Sequence, residues 1–174
     1  MIYCQRNIPK NELRYGLWSS AATGCGWIAV YNILTLYGIP CDPQQILNEV
    51  KQDIPLLNGL CGSFFMSPAW VLRRHGFDVC FTTKKEKMDQ IAQENETGIL
   101  FYWWKSKYKI GAHFCAVEKT EEGYIGYNTY SNSTGPESYG SSFKDFLGKR
   151  NYFGAVYFGI TKRRYLKTSL FHTK

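Results

Sequence analysis

Thr23-Gly24-Cys25-Gly26-Trp27-Ile28-Ala29-Val30-Tyr31-Asn32 is the stretch whose reading decides the fold. A cysteine stands between two glycines and opens an apolar run. Trp27, Ile28, Val30, Tyr31, Leu34 and Tyr37 recur at roughly helical spacing, so a helix is expected from Cys25 to about Tyr37, with Gly38 as its cap. A thiol at a helix N-terminus faces unpaired N–H groups and a partial positive charge, which favour the reactive thiolate. Gly24 and Gly26 allow a sharp turn and a close approach of substrate to the backbone. Taken alone, Cys25 reads first as a buried structural cysteine, the commoner situation for a free thiol.

Two downstream residues change that balance. His113-Phe114-Cys115-Ala116-Val117-Glu118-Lys119 reads as a strand, Thr120-Glu121-Glu122-Gly123 as a turn, and Tyr124-Ile125-Gly126-Tyr127-Asn128 as the return strand. With Glu121-Glu122 as a two-residue loop, Thr120 pairs with Gly123 and Cys115 lies opposite Asn128. Alternation then puts His113 and Cys115 on one face, with Asn128 a diagonal neighbour of His113 within reach of a side-chain hydrogen bond. A three-residue loop breaks this relation. Cysteine, histidine and asparagine in that chain order are the parts of a thiol nucleophile, its base and the base's orienter.

These residues resemble the papain-like cysteine peptidases, most closely the C39-like branch that includes the bacteriocin-processing peptidases. The resemblance is carried by Cys25-Gly26 with Asn32 downstream, by Gly62-Ser63, and by an amphipathic helix from Ser67 to Gly76. Gly111-Ala112-His113 and the stretch from Gly123-Tyr124 to Asn128 complete it, over roughly residues 18 to 130. It implies an α+β papain-like fold in a bacterial, cytoplasmic protein. N-terminal helices, with the catalytic cysteine at a helix N-terminus, pack on a C-terminal antiparallel sheet. It further implies a thiol hydrolase of peptide or amide substrates that uses Cys25, His113 and Asn128, with no cofactor and no metal. One position departs. The family usually carries a glutamine six residues before the cysteine, whose side chain helps stabilise the oxyanion. Here that position is Ser19, followed by Ser20. Ser19 is therefore the expected donor, with Ser20 or a displaced amide such as Gln5, Asn7 or Asn11 as alternatives. Two other functions fit the same residues: a non-catalytic peptide-binding module, and amide or acyl transfer by the same dyad.

The chain has 174 residues, enough for one domain spanning 1–174, and 17% are aromatic, which suits a packed core. Five of the seven net positive charges fall in a basic tail at 162–174. The rest of the chain is nearly neutral, which argues against a nucleic-acid-binding face. A solvated tail is the first reading, and contact with an acidic partner the second. The six cysteines include no Cys-x-x-Cys pair, so zinc is not expected. The first residues lack the apolar core of a signal peptide, and no apolar run is long enough to span a bilayer. Reduced thiols in the cytoplasm follow as the expectation.

Outside the two central segments, residues 1–22 read as an irregular lead-in or short strand. A helix is expected to start at Asp42, with Pro43 first and Gln45 closing a capping box. Another starts at Ser67-Pro68 and ends at Gly76, with His75 complementing its C-terminal dipole. Strands are expected at 77–82, 98–104 and 152–161, helices at 84–95 and 143–147. The Gly/Ser/Thr-rich stretch 131–142 reads as a loop walling the cleft. Trp103, Trp104 and Tyr108 read as strand core or as a substrate groove.

Overall fold

The computed structural model describes residues 1–53, 62–129, 133–148 and 152–163. The lead-in is more regular than expected. A 3-10 turn at Gln5–Asn7 precedes a two-stranded hairpin, β1 (Arg14–Tyr15) with β2 (Trp18–Ser19), and one helical turn, α1 (Ser20–Thr23). Helix α2 (Cys25–Leu36) follows, with Trp27, Ile28, Val30, Ile33 and Leu34 wholly buried. Burial on so many sides makes it the central helix. It stops where expected. Gly38 takes φ +66°, and the Ile39 N–H returns to the Leu34 carbonyl at 2.9 Å, a closure that suits glycine.

Helix α3 (Pro43–Gln52) is capped by Asp42, whose Oδ2 accepts the Gln45 N–H at 2.9 Å. The capping box does not close, because the Gln45 carboxamide reaches forward to Glu49 Oε1 at 2.9 Å. In α4 (Ser67–Arg74), Ser67 is the first helical residue rather than the cap, and its hydroxyl is buried. His75 does more than face a helix end. Its Nε2 meets Glu49 Oε2 at 2.6 Å, beside an Arg74–Asp53 ion pair at 3.0 Å, and the two contacts tie α4 to α3.

Six antiparallel strands form the sheet, in the order β3-β8-β4-β5-β6-β7. They are β3 (Phe77–Thr82), β4 (Thr97–Lys105), β5 (Ile110–Thr120), β6 (Gly123–Tyr127), β7 (Glu137–Gly140) and β8 (Tyr152–Lys162). Alternation sorts their side chains onto two faces. Ile99, Phe101, Phe114, Ala116, Val156 and Phe158 join the core with α2, α3 and α4. Leu100, Tyr102, Cys115, Val117, Ala155 and Tyr157 join a second core with α5 (Lys85–Glu94) and α6 (Phe143–Gly148). The stretch expected as a loop contains β7, because Tyr139 stacks on Phe146 with centroids 3.6 Å apart. Ser131 and Asn132 lie outside the described residues. Two residues of the expected basic tail are described. Lys162 ends β8, and Arg163 is held by the Gly76 carbonyl at 3.0 Å and by Asp78 Oδ1 at 2.8 Å. Residues 164–174 lie outside the described part.

Candidate active site

The N-terminus of α2 lies against β5. Gly26 is required there for space: a Cβ would stand 2.6 Å from Ser63 Oγ. Gly24 has an ordinary φ of −83°, so it provides no special turn. It is needed because a Cβ would stand 2.6 Å from the Ser20 carbonyl oxygen and 2.7 Å from Trp27 Nε1. The two glycines thus serve close packing of protein on protein, and at Gly24 this takes the place of the expected sharp turn.

Cys25 is half-buried, and burial pushes its thiol above the ordinary range. The main-chain N–H groups of Phe114, Cys25 and Gly26 pull the other way but do not compensate. Desolvation thus outweighs the helix terminus in its effect on this thiol.

The hairpin has the register read from its two-residue loop: Thr120 pairs with Gly123, and Ala116 with Tyr127. β6 covers β5 only over residues 116–120, so the stretch 110–115 runs beyond it. There Asn128 turns with φ +60°, a left-handed conformation that asparagine tolerates better than most residues. The turn aims its carbonyl at β5. His113 Nε2 meets that oxygen at 2.6 Å, and Cys115 Sγ donates to it at 3.8 Å. Since a carbonyl only accepts, Nε2 carries the proton, and Nδ1 of the neutral ring is the basic nitrogen. The structure thus brings His113 and Asn128 together, but not through the side chain that the strand pattern implied. The Asn128 carboxamide faces Gln5, accepting its main-chain N–H on Oδ1 at 2.8 Å and donating to its Oε1 at 3.3 Å.

Of the expected oxyanion donors, Ser20 is spent. Its buried hydroxyl donates to the Leu13 carbonyl and accepts the Trp27 Nε1 proton at 2.9 Å. Ser19 is half-buried, and its hydroxyl does not cap α1. Asn7 and Asn11 are exposed. One residue absent from the sequence-based site stands close to Cys25. Tyr15, wholly buried, accepts the Ser63 hydroxyl at 2.9 Å, and its own hydroxyl is near enough to Cys25 to feel a thiolate's charge. No sequence signal marked Tyr15, which sat in the supposed irregular lead-in. Asn32 grips the main chain of Ile2 through both ends of its carboxamide, at 2.9 and 2.8 Å.

Trp103 and Trp104 are half-buried and pack on opposite cores, whereas Tyr108 is 81% exposed. Among the described residues no cluster of three metal-ligating side chains occurs, and no helix is long and apolar enough to cross a membrane.

No protein-family model and no curated protein sequence matches the chain. Among the solved structures similar to it are two peptidases. One is the peptidase domain of Streptococcus ComA, a bi-functional ABC transporter of a quorum-sensing pathway. It is 12% identical, with a TM-score of 0.54 over 80% of this chain and 91% of that one. The other is a double-glycine-motif protease from an AMS/PCAT transporter, solved with its leader peptide. It too is 12% identical, with a TM-score of 0.50 over 79% of this chain and 84% of that one. The chain therefore has the α+β papain-like fold of the C39 peptidase domains.

Proposed function

We propose that the chain is a single-domain thiol peptidase in which Cys25 is the nucleophile, His113 its base and Asn128 the base's orienter. The observation that carries this reading is the 2.6 Å hydrogen bond from His113 Nε2 to the Asn128 carbonyl, one residue before the Phe114 N–H that serves the Cys25 thiol. It keeps Nδ1 as the basic nitrogen. In this reading Nδ1 takes the thiol proton as Sγ attacks the substrate carbonyl carbon. The imidazolium then gives that proton to the leaving amine, and water cleaves the thioester. The Cys25 N–H at the start of α2 meets the oxyanion. The leader peptide bound by one structure of the same fold supports a peptide as substrate.

The test is a peptidyl vinyl sulfone at neutral pH, with the adduct mapped by mass spectrometry. Cys25 should carry it in the wild type, and His113→Ala should lose it while remaining folded. An adduct elsewhere, or one that persists in His113→Ala, sinks the assignment. Two hydroxyls compete for the side-chain oxyanion contact, Ser19 by position and Tyr15 by its proximity to Cys25. Removing the true donor by Ser19→Ala or Tyr15→Phe should lower kcat by at least about tenfold with KM nearly unchanged, since such contacts strengthen in the transition state. Equal kcat in both variants and the wild type would exclude both.

A further inference from the structure

Asn128 is 1% exposed, and its side chain is consumed by a residue 123 positions away. Gln5 meets it twice, through the main-chain N–H at 2.8 Å and the side-chain Oε1 at 3.3 Å. The same Gln5 carboxamide donates from Nε2 to the Ala21 carbonyl at 3.2 Å, in the short helix that leads to Cys25. Gln5 thereby spans the two sides of the site. Its flanks are anchored as well. Cys4 and Ile8 are buried, Ile2 is held by Asn32 of α2, and Tyr3 stacks on Tyr127 with centroids 6.2 Å apart. What Gln5 holds matters because Asn128 acts through its main chain. The direction of that carbonyl depends on the φ of +60° and on where the side chain is pinned.

We propose that Gln5 is a positioning residue: by clamping the Asn128 carboxamide and tethering it to Ala21, it aims the Asn128 carbonyl at His113 and sets the imidazole against Cys25. This rests on the Cys25–His113 reading above.

The experiment needs no substrate. The rate of Cys25 alkylation by iodoacetamide is followed from pH 5 to 10 on the Cys25 peptide by mass spectrometry. In the wild type the rate should rise in the imidazole range, at about pH 6–7, because His113 withdraws the proton before the buried thiol ionises unaided. His113→Ala should lose that limb. Gln5→Met keeps the length and bulk and the main-chain N–H on Asn128 Oδ1, but its side chain offers neither the acceptor to Asn128 nor the donor to Ala21. It should lose about tenfold of the rate at pH 7 and recover the wild-type rate near pH 10, as a displaced base predicts. Gln5→Glu keeps the Oε1 acceptor for Asn128 but sets a carboxylate oxygen against the Ala21 carbonyl, so its rate at pH 7 should fall between those of the wild type and Gln5→Met. If Gln5→Met does not fold, Asn128→Gly keeps the turn and the carbonyl but releases Gln5, and should lose the limb likewise. A limb that persists in His113→Ala overturns the dyad and this proposal with it. A limb lost in His113→Ala but intact in Gln5→Met or Asn128→Gly overturns the positioning role alone. So does a Gln5→Met rate lowered equally at every pH, which marks a purely structural defect.

Discussion

Asn128 shows how much one residue's conformation decides. Its φ of +60° costs a typical L-residue about 1–2 kcal/mol and glycine almost nothing. A replacement without a polar side chain also leaves the Gln5 N–H and Oε1 without these partners, a loss of about 1–3 kcal/mol. Asn128→Val carries both penalties and Asn128→Gly only the second. The urea midpoint of Asn128→Val should therefore fall below that of Asn128→Gly, at an unchanged m-value, although valine is the better strand former. Equal midpoints would show that the turn is not strained by a branched side chain.

At the scale of the element, α2 sets helix propensity against packing. Gly26 lies in the first turn, where alanine would add up to about 1 kcal/mol by propensity. The space argues the reverse, since a Cβ would press on Ser63 Oγ at 2.6 Å and Ser63 Cβ at 3.0 Å. Overpacking of a tight contact costs about 1–3 kcal/mol, so Gly26→Ala should lower the thermal midpoint. Adding Ser63→Gly should restore part of the loss, as expected for two residues in direct contact. A Gly26→Ala variant as stable as the wild type would mean that Ser63 moves aside freely.

Across the whole molecule, burial leaves a titration signature. Tyr15, Tyr37, Tyr124, Tyr127 and Tyr157 are all pushed above the ordinary 10.0, chiefly by desolvation, and Cys25 and Cys41 above 9.0. Above pH 9 the unfolded chain releases these protons while the native one keeps them. The native state then binds more protons, so stability falls as pH rises. The urea midpoint should be level near pH 8, decline from about pH 9 and drop more steeply above pH 10, where the tyrosines dominate. A midpoint flat from pH 8 to 11 would contradict the burial of these hydroxyls.

What the sequence by itself determined is local. The end of α2 at Gly38, the start of α3 at Asp42 and the register of the β5–β6 hairpin each depend on contacts a few residues apart. Backbone sterics and strand alternation act at that range, so the residues alone sufficed. The same alternation brought His113 and Asn128 to neighbouring positions. The tertiary structure decided the rest. It placed β8 between β3 and β4, used Gly24 and Gly26 for packing, and raised the Cys25 thiol by desolvation. It also turned the Asn128 carbonyl toward His113 and gave the Asn128 side chain to Gln5. Each of these depends on which distant segments exclude water from a group or supply its hydrogen bonds, and periodicity along a chain carries no record of partners 123 residues apart.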